Sequence, residues 1–182
     1  SELDYSGQCV VVTGAASGIG RAIAQRFAQL GAMVVINDIN GSAAELLVES
    51  MLESGARVAP FACDVTQEQQ VNALVDFAVS TFGTLDVMFN NAGGSLPTPL
   101  DDIDTTEYRR LMALNFDSLY FGTRAALKVM LPSGRGCILS TTSGASLGAV
   151  EGLAVYGCAK SAVNSLMRSE AVEYGRRGIR AN

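Results

Sequence analysis

Apolar positions along this chain follow two different spacings. Short, nearly continuous apolar runs occur at residues 9–12, 33–36, 57–61, 85–89 and 137–140, among them Cys9-Val10-Val11-Val12 and Met33-Val34-Val35-Ile36. Such runs predict strands covered on both faces, where few positions can stay polar. Between them, at 19–30, 42–54, 67–82, 105–130 and 154–174, apolar residues recur at helical spacing. The third of these is the clearest, with Val71, Leu74, Val75, Ala78, Val79 and Phe82 on one stripe. Its start carries Thr66 and Gln69 at capping-box spacing, and Gly83 is placed to end it. Strict alternation of strand and helix predicts an α/β protein: a doubly wound parallel sheet with right-handed crossovers and helices on both faces.

No linker, repeat or low-complexity tract interrupts the alternation, so residues 1–182 read as a single domain with one sizeable core. The longest loop-like stretch, residues 93–99, follows the fourth strand, where a ligand crevice opens in sheets of this kind. The last residues, Gly178-Ile179-Arg180-Ala181-Asn182, read as a turn leading into a further strand.

Composition narrows the function classes. Hydrophobic residues make up 48% and charged residues 17% of the chain, which suits a buried sheet and not a disordered protein. A formal net charge of −5 argues against a general nucleic-acid partner. The start, Ser1-Glu2-Leu3-Asp4, is polar, and no apolar run is long enough to span a bilayer, so the expectation is a cytoplasmic protein without a membrane partner. Four cysteines, at 9, 63, 137 and 158, form no Cys-x-x-Cys pair and read as reduced structural thiols. Histidine is absent, which excludes Ser-His-Asp triads and most zinc sites. The acidic group Asp101, Asp102, Asp104 and Glu107 stands where a helix begins and complements its dipole, so no metal site is expected.

Two stretches carry candidate chemistry. Directly after the first strand, Thr13-Gly14-Ala15-Ala16-Ser17-Gly18-Ile19-Gly20 opens the first helix. Glycines there let backbone N–H groups approach a pyrophosphate at the positive helix end, which points to nucleotide binding. Asp38, at the end of the second strand, can accept hydrogen bonds from adenosine ribose hydroxyls and would repel a 2′-phosphate. Ala15, Ala16, Ser17, Ile39 and Asn40 offer no cation to such a phosphate, which favours NAD(H) over NADP(H). Further on, Tyr156 and Lys160 lie four residues apart on one helix and so share a face. A fixed cation beside a phenol favours the phenolate. Ser143, thirteen residues before Tyr156, has a hydroxyl able to hold a substrate oxygen. A nucleotide loop combined with a proton-transfer group suggests hydride chemistry.

Taken in order, the Thr-Gly-x-x-x-Gly-Ile-Gly segment at 13–20, Asp38, Asp64-Val65, Asn90-Asn91-Ala92-Gly93, Asn115, Ser143, Tyr156 and Lys160 resemble the short-chain dehydrogenase/reductase family over all 182 residues. The resemblance implies a Rossmann fold and NAD as cofactor, bound by Gly14, Ser17, Gly18, Ile19, Gly20, Asp38, Asp64, Val65, Asn91, Ala92, Gly93, Tyr156 and Lys160. It implies that Asp64 contacts the adenine through its side chain and Val65 through its backbone. It further implies Tyr156 as general acid/base, Lys160 holding the nicotinamide ribose and favouring ionisation of Tyr156, Ser143 orienting the substrate oxygen, and Asn115 holding a water in a proton relay. Members of the family continue beyond the Arg180-Ala181-Asn182 position with further strands and a segment covering the active site, so C-terminal strands are expected to be missing here. The expected reaction interconverts a secondary alcohol and a ketone. The small, apolar flanks at 144–147 and 150–155 favour an uncharged, partly hydrophobic substrate, with sugars, steroids, hydroxy acids and acyl thioesters left open. A non-catalytic NAD-binding regulatory or interaction module is the alternative. The long helices starting at Thr105 and Ala154 are candidate surfaces for a homodimer or homotetramer.

Overall fold

The computed structural model describes residues 3–182; the polar start at Ser1 and Glu2 lies outside the described residues. Six strands, β1 (Cys9–Val12), β2 (Met33–Asp38), β3 (Arg57–Ala62), β4 (Val87–Asn90), β5 (Gly136–Ser140) and β6 (Ile179–Ala181), form one sheet in the order β3-β2-β1-β4-β5-β6. Every pairing is parallel. Six α-helices alternate with them: α1 (Gly18–Gln29), α2 (Gly41–Glu53), α3 (Glu68–Phe82), α4 (Thr105–Met112), α5 (Ser118–Ser133) and α6 (Ala154–Tyr174). This is the doubly wound sheet that the strand–helix alternation predicts, including the short final strand after Gly178.

The apolar runs form strands because both faces of the sheet are covered. Val10, Val12, Val34 and Ile36 pack on one side with α1 and α2 residues Ala24, Leu47 and Met51. Val11, Val35 and Met88 pack on the other with Leu74, Ala126 and Met130 from α3 and α5. Alternate residues of one strand thus serve opposite cores, and buried polar side chains, Asn37 and Asn90, come only at the carboxyl ends of β2 and β4. Cys9, Cys63 and Cys137 are buried among them, and burial pushes their thiols up, Cys9 to about 12 and Cys63 to about 11. Cys158 is exposed on α6.

Two local expectations are corrected. Thr66 and Gln69 do not form a capping box: α3 starts from Gln67, which makes no side-chain cap. The Thr66 hydroxyl donates instead to Asp64 Oδ1 at 2.7 Å, which removes it from the helix end. The expected helix over 105–130 is two helices. Between α4 and α5 one π-helical turn, Ala113–Asp117, widens the coil, and α5 then continues through Pro132 to Ser133. Asn115 sits in that turn, fully buried. The acidic group behaves as expected at Asp104, whose side chain accepts from Glu107 N at the start of α4.

β1 lies between β2 and β4, so the chain crosses to opposite faces of the sheet on either side of it. The loops after β1 and β4 therefore diverge and open a crevice at the carboxyl ends of the strands.

Candidate active site

The crevice encloses about 570 Å³, and all thirteen residues expected to bind a nucleotide line it: Gly14, Ser17, Gly18, Ile19, Gly20, Asp38, Asp64, Val65, Asn91, Ala92, Gly93, Tyr156 and Lys160. Five strand ends thus supply one wall-to-wall cavity. Ile39, expected beside the adenosine ribose, also lines it, as do Thr141, Asn37, Cys63 and Leu114, which the sequence alone did not single out for that place.

The glycine loop is built by close backbone approach. A Cβ on Gly20 would lie 2.1 Å from the Gly14 carbonyl oxygen and 2.6 Å from Asn91 Nδ2. Gly14 has φ +61°, and a Cβ there would meet the Ala92 backbone at 3.0 Å. Asn91 fastens the loop to β4 by donating from Nδ2 to the Thr13 and Gly14 carbonyls at 3.1 and 3.3 Å. The Thr13 hydroxyl accepts from the Asn91 and Ala92 N–H groups, both at 3.0 Å. Ser17 precedes α1 in extended conformation and makes no side-chain cap, so the positive end of α1 faces the cleft. The Asp38 carboxylate closes the other side, accepting from Ala16 N and Asn40 N at 3.0 Å each. The donor set, the close backbone packing and the fixed carboxylate fit an adenine dinucleotide carrying a free ribose 2′-hydroxyl.

At the opposite end stands Lys160. Its side chain is 1% exposed, donates from Nζ to the Thr141 carbonyl at 2.9 Å, and lies 5.8 Å from the Tyr156 ring centre. Burial pushes its ammonium down to about 8. Thr141 is itself placed by its hydroxyl, which donates to Asn91 Oδ1 at 3.0 Å, so the phosphate end and the lysine end share one hydrogen-bonded frame.

Asn115 and Ser143 stand beside this cavity and do not line it. Asn115 exchanges two hydrogen bonds with the Gly94 backbone, at 2.8 and 2.9 Å, and donates to the Leu111 carbonyl at 3.0 Å. A Cβ on Gly93 would lie 2.9 Å from Asn115 Oδ1 and 3.1 Å from Lys160 Nζ, so the bare backbone fills the space between them. Ser143 is half-buried in the turn that leaves β5, and its Oγ accepts from Ala145 N at 3.2 Å.

Known proteins match this architecture closely. The family model "short chain dehydrogenase" matches residues 8–182. The chain belongs to the short-chain dehydrogenase family. Among curated members, 7alpha-hydroxysteroid dehydrogenase of Escherichia coli (strain K12) is 38% identical over 180 residues, spanning 99% of this chain and 70% of that protein. A mitochondrial borneol dehydrogenase of Lavandula x intermedia is 39% identical over 178 residues, spanning 97% of this chain and 67% of that protein. A structure of a 7 alpha-hydroxysteroid dehydrogenase with NADH and 7-oxo glycochenodeoxycholic acid superposes with a TM-score of 0.93 at 38% identity. That likeness covers 98% of this short-chain dehydrogenase and 69% of the other chain.

Sequence reasoning passed over one part of the site. Ser146 Oγ donates to the Ser143 carbonyl at 2.5 Å and accepts from Asn164 Nδ2 at 2.8 Å. Asn164 follows Lys160 by four residues on α6, as Lys160 follows Tyr156. That repeat of four is the only signal the sequence offers for it.

Proposed function

We propose that this short-chain dehydrogenase is an NAD-dependent oxidoreductase that interconverts a secondary alcohol and a ketone, with Tyr156 as general acid/base. The observation that carries this reading is Lys160: a buried ammonium tied to Thr141, beside the Tyr156 ring, inside a dinucleotide-shaped cleft.

Bound NAD would supply the hydride-accepting centre. As phenolate, Tyr156 takes the proton from the alcohol during oxidation, and as phenol it returns that proton to the ketone oxygen during reduction. Lys160, with only one donor direction spent on Thr141, has N–H groups left for ribose hydroxyls. Ser143 Oγ accepts from Ala145 N and so keeps its own proton to donate to the substrate oxygen. Asn115 has both Nδ2 protons engaged, and its Oδ1 retains one acceptor direction for a relay water. Asp38, held by two backbone N–H groups, excludes a 2′-phosphate and selects NAD(H). Asp64 spends Oδ1 on Thr66 and keeps its second oxygen for the adenine.

Ala145, Ala149, Val150 and Leu153 border a groove of about 550 Å³ beyond the Ser143 turn, which supports an uncharged, partly hydrophobic alcohol. Exposed Tyr108, Tyr120 and Val172 on α4, α5 and α6 support a homo-oligomer formed through those helices.

The deciding experiment mixes the protein with NAD and borneol, or NADH and 7-oxo glycochenodeoxycholic acid, and follows reduced-cofactor absorbance. Tyr156→Phe should lose about 100-fold or more in kcat while still binding NADH. Parental rates in that variant would end the assignment. A parent that binds NADH yet turns over no alcohol would favour the non-catalytic module.

A further inference from the structure

Tyr156, Lys160 and Asn164 repeat every four residues along one face of α6, and only the first two reach the cleft. The third reaches the Ser143 turn. Asn164 Nδ2 donates to Ser146 Oγ at 2.8 Å, and Ser146 Oγ donates onward to the Ser143 carbonyl at 2.5 Å. A second tie joins the same pieces, with Ser161 Oγ donating to the Ser146 carbonyl at 3.2 Å. The helix also presses directly on the turn, since a Cβ on Gly157 would lie 2.8 Å from the Ala145 carbonyl oxygen.

From this we infer that Asn164 is a positioning residue: acting through Ser146, it fixes the Ser143 hydroxyl relative to Tyr156. The inference rests on the reading of Ser143 as the group that orients the substrate oxygen. The physical need is plain. Ser143 sits on an exposed turn whose neighbours Gly144, Leu147 and Gly148 are open to solvent, while Tyr156 rides on a long helix. Two groups on separate elements serve one oxygen atom only if their spacing is held to a fraction of an ångström. The Asn164–Ser146 link ties that turn to the helix bearing Tyr156. Ser146 can donate to the Ser143 carbonyl and still accept because a hydroxyl has one proton and two lone pairs. Asn164 supplies the donor that fixes which way that proton points.

Asn164→Asp is the informative variant, because it keeps the shape and removes the donor. With borneol and NAD the expected result is a kcat lowered about tenfold with KM for NAD unchanged. Ser143→Ala should lower kcat further, and adding Asn164→Asp to it should cost nothing more. Independent, multiplying losses in the double variant would overturn the proposal, as would a full-rate Asn164→Asp in a protein where Ser143→Ala is impaired. A Ser143→Ala variant with parental activity would instead refute the role given to Ser143. Crystal structures of the parent and of Asn164→Asp decide the matter even without turnover. The expected change is displacement of Ser143 Oγ with Tyr156 and Lys160 in place; an unmoved Ser143 turn would overturn the proposal.

Discussion

Asn115 and Gly94 exchange two hydrogen bonds: Asn115 Oδ1 accepts from the Gly94 N–H at 2.8 Å, and Asn115 Nδ2 donates to the Gly94 carbonyl at 2.9 Å. This clasp holds the strand-end loop 93–94 against Lys160. Asn115→Leu fills the same space but leaves the Gly94 groups and the Leu111 carbonyl without their partners. It should destabilise the fold by about 2 kcal/mol in urea titrations and lower kcat more than tenfold.

Gly20 admits no side chain. The methyl of Gly20→Ala would overlap the Gly14 carbonyl, which is backbone and is already bonded to Asn91. The loop must shift to accommodate it. Affinity for NADH should fall at least about tenfold by fluorescence titration, with stability lower by about 1–3 kcal/mol.

Lys160 ties activity and stability to pH in opposite directions. Its ammonium titrates near 8 in the folded protein against 10.5 ordinarily, because it is buried. Between those values the unfolded chain holds the proton and the folded one does not, so this group's contribution to stability rises with pH across that window and is lost as pH falls through 8. Its charge disappears over the same range, so catalysis should decline above pH 8. Lys160→Met should be more stable than the parent at pH 7, by about 3 kcal/mol at most, and nearly inactive. Denaturation and rate profiles of both proteins from pH 7 to 10 check the two slopes.

Glu170 on α6 gives a second dependence on pH. It is 3% exposed, neither carboxylate oxygen has a hydrogen-bond partner, and the Thr123 hydroxyl on α5 is buried without one as well. Burial first, with the charge of Glu173 adding to it, pushes the carboxyl up to about 7 from 4.5. The folded protein therefore binds the extra proton between those values, and stability from this group falls as pH rises from 4.5 to 7. Glu170→Gln should remove that slope and be more stable than the parent at pH 8 by up to about 3 kcal/mol, read from thermal or urea denaturation.

Most of the sheet was legible because its strands are covered on both sides. Val10 to Val12 and Val34 to Ile36 have no polar position to misplace, and the helical stripe from Val71 to Phe82 has only one face it can bury. The cofactor cleft was legible because its residues follow strand ends, which the alternation locates. Competition for hydrogen bonds was not legible. Thr66 has the spacing of a helix cap, yet Asp64 is nearer and takes its hydroxyl. The link from Asn164 to Ser146 crosses between elements 18 residues apart, and the repeat of four on α6 marks Asn164 without naming its partner. The π turn was hidden because no glycine or proline stands in or beside Ala113–Asp117 to announce a change.

That turn has a consequence for how the protein tolerates change. A widened coil at Ala113–Asp117 shifts the angular phase of everything after it, so α4 lies against α6 while α5 meets α6 through Leu119 and otherwise lies against α3, β4 and β5. One continuous rod would have to satisfy both neighbours with a single set of faces. Divided in this way, the segment before Ala113 can diversify beside the active site while the segment after Asp117 keeps the sheet covered.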